Sequence, residues 1–139
     1  MRTVLTYGIF VFLLSSFTLD NSRSYYLRDI QFEVNSDRLM DTQLKELETA
    51  IKTIRESMEE GHEKTFTLWI NGNADVSEKY VMRLSANRAK VVRDKLLSLG
   101  LNEGTLIAKG FGKRRPIADS NTEDGRKRNA RVDFQIRLE

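Results

Sequence analysis

The sequence of 139 residues contains no cysteine, one proline and one histidine. Without cysteine, the chain can have no disulfide bond, thiolate catalysis, cysteine-ligated zinc or lipid attached to a cysteine. The single histidine, His62, has no nucleophile or cluster of ligands near it, and no acid and base are arranged as general acid–base catalysis requires. The sequence therefore predicts a protein that is not an enzyme and that binds no metal and no cofactor.

A strong excess of one charge is also missing. Lysine and arginine number 23 and aspartate and glutamate 20, so the formal net charge is only +3, and the two signs are interleaved. This balance does not predict nucleic-acid binding. The content of 40% hydrophobic and 31% charged residues is typical of one globular domain with a single core.

Long apolar runs are confined to the N-terminus. Residues 4–17 are almost wholly apolar, contain no acid and follow Met1 and Arg2. The run is shorter than the roughly 20 residues of a membrane span and suits the core of a secretory signal. We therefore expect residues 1–19 to be an export signal, with an uncleaved anchor as the alternative. Residues 20–29 are expected to form a linker and the start of the first strand, and residues 30–139 the folded domain.

The remaining apolar residues change period along the chain. Alternation at every second residue predicts strands, and spacings of three and four predict amphipathic helices. Strands are expected at residues 30–34, 66–70, 106–109 and 131–138, and helices at residues 41–60 and from about residue 77–80 to Gly100.

This order predicts an α+β fold with two helices packed on one face of a mixed four-stranded sheet. Because helices connect the first three strands, we expect their pairs to be parallel, with Leu68 beside the first strand. Residues 110–129 are expected to form a long unstructured loop, which in a compact domain is usually functional or mobile.

Two charged residues lie in or just before the predicted second helix. Asp75 follows a glycine-containing turn after the second strand, and Arg88 lies within the helix. On the residues alone, Asp75 also suits a capping acid and Arg88 a solvated helix face. Arg88 lies about 12 to 16 Å along the helix axis, so the loop carrying Asp75 must fold back for the two side chains to meet.

Both residues belong to a longer ordered series of motifs. The series comprises Asn73-Ala74-Asp75, Leu84-Ser85-Ala86-Asn87-Arg88-Ala89, Gly110-Phe111-Gly112, Pro116-Ile117-Ala118, Gly125-Arg126 and Asn129-Ala130-Arg131-Val132. In order and spacing, these residues resemble the OmpA-like peptidoglycan-binding domain, and the resemblance extends over residues 30–138. It implies a β-α-β-α-β-β fold.

The resemblance implies a ligand and the residues that bind it. Asp75 matches the acid that binds an ammonium group, and Arg88 matches the arginine that binds a carboxylate, both on the meso-diaminopimelate of a peptidoglycan stem peptide. Asn35 and Arg131 match positions at the border of the site. For Asn35 a turn former, and for Arg131 a sheet-surface charge, remains the alternative.

The implied function is non-covalent binding of peptidoglycan, which anchors the cell envelope. The expected location is the periplasm, in association with the cell wall or outer membrane, and other envelope proteins are further candidate partners. Membrane contact is expected only through residues 1–19, if they are not cleaved. The alternative is an OmpA-like interaction or structural module that has lost peptidoglycan binding and docks a protein partner.

The sequence departs from the family pattern around the site. Ala74 replaces a common threonine, Val81 an asparagine and Ala130 the first arginine of the late motif. The loop between Asp75 and the helix is also about two residues short and lacks its usual glycine. Each departure removes a polar contact to the ligand, but the acid and the arginine remain, so binding is expected to persist in weaker form.

A group of basic residues in the late loop offers a second surface. Its members are Lys113, Arg114, Arg115, Arg126, Lys127 and Arg128. They suit either a solvated loop or contact with an anionic surface. No aromatic residue lies between them, which argues against stacking on nucleic-acid bases.

Overall fold

The structure is a computed structural model and describes residues 27–61 and 66–138. The expected signal at residues 1–19, most of the linker at 20–29, and His62 lie outside these ranges. Within them, no helix has the length and apolar character needed to cross a bilayer. The same residues contain no group of three or more histidine or acidic side chains that could hold a metal ion.

The described residues form a four-stranded mixed sheet with helices between the strands, which confirms the predicted fold class. Strand β4 lies inside the sheet, whose order is β1-β4-β2-β3. The elements in chain order are β1 (Ile30–Gln31), α1 (Asp41–Gly61), β2 (Phe66–Gly72), α2 (Val81–Ser98), a 3-10 helix (Glu103–Thr105), β3 (Leu106–Gly110), α3 (Glu123–Asn129) and β4 (Arg131–Leu138).

The core lies between the sheet and the helices α1 and α2. Helix α1 buries Leu47, Ile51 and Ile54, which recur at spacings of four and three and therefore share one helical face. From Phe66 to Ile70, strand β2 buries every second side chain, as expected for a strand with one face on the core. The core cluster comprises Leu27, Ile30, Phe32, Leu47, Ile51, Ile54, Phe66, Leu68, Ile70, Ala89, Val92, Leu96, Leu101, Leu106 and Val132.

Two glycines let helix α2 lie close to the ends of β2 and β3. A Cβ atom added to Gly72 would lie 1.8 Å from the backbone oxygen of Ser85, and one added to Gly110 would lie 2.6 Å from the backbone nitrogen of Ala86. Any side chain at either glycine would therefore force the helix away from the sheet. This close approach places the N-terminal half of α2 directly beside the loop that follows β2.

The expected position of the first strand is wrong. Strand β1 pairs antiparallel with β4, and Leu68 of β2 lies between Leu106 of β3 and Ile136 of β4. Strand β4 pairs with β2 along its full length and so occupies the position beside β2 where β1 was expected. The predicted parallel pairing is confirmed only for β2 with β3.

The first strand is also shorter than the alternation predicted. The chain leaves the sheet after the backbone N–H of Phe32 donates to the carbonyl of Ala130, and it turns at Asn35, whose φ is 57°. Val34, expected on the buried face, is 50% exposed. The late loop, in contrast, contains more regular structure than predicted, because its last residues form α3. This helix is capped by the Thr122 hydroxyl, which accepts a hydrogen bond from the N–H of Gly125.

Candidate ligand-binding site

Three loops meet at one end of the sheet. They follow β1, β2 and β3, and they carry residues 32–40, 73–80 and 111–122. Strands β2 and β3 are parallel, so the loops after them leave the sheet at the same edge. Side chains from these loops and from α2 and α3 form a polar cluster, buried except for the half-buried Ser120, which we call the loop cluster: Glu78, Asp75, Arg88, Asn73, Ser120 and Asn129.

Asp75 lies in the loop cluster with none of its surface exposed. Its Oδ1 accepts hydrogen bonds from the backbone N–H and the hydroxyl of Ser77, at 2.9 and 2.6 Å. Its Oδ2 accepts from the hydroxyl of Ser120 at 2.6 Å and from Nδ2 of Asn129 at 2.7 Å. The carboxylate therefore has four donors, about as many as its lone pairs can use.

All four donors to Asp75 are uncharged, and no cation within the described ranges forms an ion pair with it. Burial alone would raise the pKa of the Asp75 carboxyl, but the hydrogen bonds from Ser120, Ser77 and Asn129 outweigh burial and lower the pKa to about 2. Asp75 is therefore ionised at neutral pH.

Arg88 is fully buried as well, and all five of its N–H groups are engaged. Its Nε donates to the carbonyl of Ser36, one Nη1 hydrogen to that of Asn73 and one Nη2 hydrogen to that of Glu33. The two remaining hydrogens donate to the carboxylate of Glu78, at 2.8 Å from Nη1 to Oε1 and 2.5 Å from Nη2 to Oε2. Both side chains of this ion pair are completely buried.

Glu78 joins the two predicted ligand-binding residues. Its Oε1 also accepts the backbone N–H of Asp75, at 2.8 Å, and its Oε2 accepts the backbone N–H of Asn35, at 2.7 Å. The loop after β2 has therefore folded back over α2, as the distance along the helix required. Asp75 and Arg88 are connected through Glu78 and form no ion pair with each other.

The two border residues take different positions. Asn35 has a left-handed backbone conformation, and its side-chain oxygen accepts from the N–H of Lys79, so it joins the loops after β1 and β2. Arg131 is 4% exposed and lies at the start of β4, 3.1 Å from Asp133. Burial lowers the pKa of the Arg131 guanidinium, and the negative charges of Asp133 and Asp29 oppose that shift.

Arg131 contacts the loop cluster through the carbonyl of Asn129, to which its Nη1 donates at 3.4 Å, and through Asp133. The same Asp133 oxygen that pairs with Arg131 accepts from Nδ2 of Asn73, at 2.9 Å, and the carbonyl of Asn73 accepts from Arg88. Arg131 and Arg88 therefore share a network but have separate carboxylate partners.

Sequence reasoning missed four members of the loop cluster, of which Asn73 stood beside Asp75 in the first motif of the series. Glu78 gave no signal, because its contact with Arg88 depends on how the shortened loop folds. Ser120 was hidden in the loop that was expected to be unstructured. Asn129 stood in the late motif, and its position beside Arg131 was the available signal that it reaches the same end of the sheet.

The chain is similar in sequence to several known proteins. Residues 31–130 match the OmpA family. Over 67 residues, the chain is 42% identical to outer membrane protein A of Bordetella avium. The matched region covers 47% of this chain and 34% of that protein. The chain is 39% identical over 69 residues to the peptidoglycan-binding protein ArfA of Mycobacterium tuberculosis, which covers 48% and 21%.

A solved structure has the same fold. The peptidoglycan-associated lipoprotein of Burkholderia pseudomallei superposes with a TM-score of 0.68 at 24% identity, over 79% of this chain and 90% of that one. The chain spans about a third of the length of outer membrane protein A and a fifth of ArfA. The matches therefore concern one domain of those longer relatives.

Proposed function

Since the chain belongs to the OmpA family, a family of structural proteins associated with peptidoglycan and not of enzymes, we propose that it binds peptidoglycan without forming a covalent bond and thereby anchors the cell envelope. The similarity to ArfA, a protein named for peptidoglycan binding, supports this proposal. The observation that carries it is the meeting of Asp75 and Arg88, two fully buried charged residues, in one loop cluster at the end of the sheet.

The proposed ligand is the diaminopimelate of the stem peptide, whose ammonium group pairs with Asp75. Asp75 is ionised at neutral pH and is surrounded by neutral donors, so it lacks the counter-charge that an ammonium group supplies. Ser120 and Asn129 lie on the loop and short helix after β3, and they would yield their bonds to Asp75 as the ligand enters. A buried charge gains most from a partner of opposite sign that is also hydrogen-bonded.

The ligand's carboxylate is proposed to pair with Arg88. A guanidinium group presents two parallel N–H groups that match the two oxygens of a carboxylate, which a lysine cannot do. Arg88 already holds one carboxylate in this way, that of Glu78. Asn35 and Arg131 are proposed to border the ligand, Asn35 at the point where its backbone N–H donates to Glu78.

Export and location follow as part of the proposal. Residues 1–19 would direct the chain out of the cytoplasm, and the domain would lie in the periplasm against the cell wall or outer membrane. The relative from Bordetella avium is named as an outer membrane protein, which supports this location.

The full satisfaction of Asp75 and Arg88 favours a second candidate function. All five Arg88 donors and four acceptor positions of Asp75 are used within the chain. A domain in which this network is purely structural would have lost diaminopimelate binding. Such a domain would keep the fold and dock a protein of the envelope.

Retention of the full chain on purified peptidoglycan sacculi separates the two functions. Asp75→Asn and Arg88→Ala should each reduce affinity about 30-fold to several thousand-fold, because truncating one member of a desolvated charge pair commonly costs about 2 to 5 kcal/mol. Sacculi with diaminopimelate should retain the chain better than sacculi with lysine, whose side chain lacks the carboxylate.

Two variants of α2 residues outside the loop cluster serve as controls. Arg93→Ala and Asp94→Asn change the same residue types on α2, and both should keep wild-type retention. Circular dichroism should show that every variant is folded. Wild-type retention by the Asp75 and Arg88 variants would contradict the clamp, and no retention of the wild type on either kind of sacculus would favour the protein-docking module.

A further inference from the structure

Arg88 and two backbone N–H groups form a four-donor cradle for a carboxylate. The guanidinium supplies Nη1 and Nη2, and the loops after β1 and β2 supply the N–H groups of Asn35 and Asp75. Each carboxylate oxygen in the cradle thereby receives one charged and one backbone donor. Such an arrangement recognises a carboxylate by both its shape and its charge.

The cradle is filled by a residue of the chain itself. Glu78 lies ten residues before Arg88 on the loop after β2, and its carboxylate is completely buried. We propose that Glu78 occupies the carboxylate position of the binding site, so that a carboxylate ligand binds only when Glu78 leaves Arg88. This inference rests on the proposed function as far as the ligand is peptidoglycan, but the cradle itself can be tested with a simple carboxylate.

The energetic reason is competition for one desolvated cation. A buried guanidinium needs a counter-charge, and the Glu78 side chain supplies it without any loss of translational freedom. The apparent affinity for a ligand is therefore the intrinsic affinity multiplied by the fraction of molecules in which Glu78 has left Arg88. With a minor state populated at about 0.1 to 10%, the reduction is about 10- to 1,000-fold.

The position of Glu78 also explains how occupancy reaches Asp75. The same carboxylate holds the N–H of Asp75 and the N–H of Asn35. When Glu78 leaves, the loops after β1 and β2 lose a shared acceptor unless another carboxylate replaces it. A carboxylate ligand would restore these bonds while its ammonium group meets Asp75.

The first test replaces Glu78 and supplies a free carboxylate. The Glu78→Ala full chain should unfold at a temperature several degrees lower than the wild type, because Arg88 loses its counter-charge. Sodium acetate should raise its unfolding temperature relative to sodium chloride of equal ionic strength, and should not do so for the wild type. Glu103→Ala is the control, since Glu103 is an exposed acid that pairs with Arg93, which lies on the same helix as Arg88.

The second test measures retention of the same variants on diaminopimelate-type sacculi. Glu78→Ala should bind about 10- to 1,000-fold more tightly than the wild type. Acetate should weaken this retention, because it competes for the cradle. Glu103→Ala should match the wild type.

The outcomes of the two tests are separable. Equal unfolding temperatures of Glu78→Ala in acetate and chloride overturn the inference, whatever the sacculi show. An acetate effect without retention of any variant supports the cradle and contradicts the proposed peptidoglycan binding. If Glu78→Ala does not fold in either salt, Glu78→Gln replaces it: its neutral amide holds Arg88 less firmly, so acetate should again raise its unfolding temperature, and no difference between the salts overturns the inference.

Discussion

At the scale of single residues, the hydrogen-bond partners of the charged groups of Asp75 and Arg88 all belong to the chain itself. The motif series located Asp75 and Arg88 in the sequence, because it matches the family in order and spacing although Ala74 and Val81 near them do not. It could not predict the partner of Arg88, because Glu78 reaches it only through the fold of a shortened loop. Asp75 does not cap α2, whose N-cap is Tyr80, and its bond from the N–H of Ser77 is that of a turn-forming acid.

The lowered pKa of Asp75 predicts a stability effect in acid. Its folded-state pKa is about 2, against an ordinary value of 3.8. The stabilisation is therefore complete above the ordinary pKa and is lost as pH falls through the folded pKa, by about 2 kcal/mol at pH 2. The difference in unfolding free energy between the wild type and Asp75→Asn should shrink by about that amount from pH 6 to pH 2.

Urea unfolding at the two pH values measures this difference. Asp94→Asn is the matched control, since Asp94 is a half-exposed acid on α2 whose partner is Lys90, and its difference from the wild type should change little. A gap between the wild type and Asp75→Asn that stays constant with pH would mean that the hydrogen bonds to Asp75 do not favour its charged form.

At the scale of elements, apolar period predicted the helices and most strand positions but not the pairing of β1. The faces of α1 and β2 are local properties, so Leu47, Ile51 and Leu68 are buried as expected. The neighbour of β1 is decided by β4, about 100 residues later in the chain. Strand β4 pairs with β1 on one edge and with β2 on the other, and no local sequence pattern predicts that it will lie between them.

Helix α2 depends on glycine at the end of β2. Gly72→Ala would place a Cβ atom 1.8 Å from the backbone oxygen of Ser85, so the helix or the strand must move. We expect a loss of about 1 to 3 kcal/mol in unfolding free energy, as for other overpacked sites. Gly104→Ala is the control, because its nearest neighbouring atom would be 3.5 Å away, and its effect should stay within about 0.5 kcal/mol.

Equilibrium unfolding in urea measures both glycine variants. Because α2 carries Arg88, Gly72→Ala should also weaken retention on sacculi, whereas Gly104→Ala should not. Equal stability of the two variants would show that α2 is not held against β2 as closely as these distances require.

At the scale of the whole molecule, the charged residues that could bind an anionic cell wall form a buried set and an exposed set. The buried set is the loop cluster. The exposed set surrounds Phe111, whose ring centre lies 4.6 Å from the guanidinium carbon of Arg115, 5.9 Å from that of Arg114 and 5.2 Å from Nζ of Lys109. The predicted basic group contained Arg114 and Arg115 but not Lys109, and the contact of all three with one ring depends on the turn after β3.

The two sets predict opposite responses to salt, which decides which of them retains the chain on an anionic cell wall. Exposed charges are screened as the Debye length falls from about 10 Å at 0.1 M to about 3 Å at 1 M, whereas buried pairs are screened much less. If the loop cluster binds diaminopimelate, retention on sacculi should persist at about 0.5 M sodium chloride. The double variant Arg114→Ala with Arg115→Ala should then behave as the wild type does.

The control for that variant removes two positive charges from another surface. Lys45→Ala with Lys52→Ala gives the same net charge by changes on α1, so a general effect of charge would appear equally in both double variants. Loss of retention in salt, together with loss in the Arg114 and Arg115 variant but not in the Lys45 and Lys52 variant, would assign binding to the exposed basic surface. In that case Asp75→Asn and Arg88→Ala should bind as the wild type does, because the buried network would then serve only to hold the three loops together.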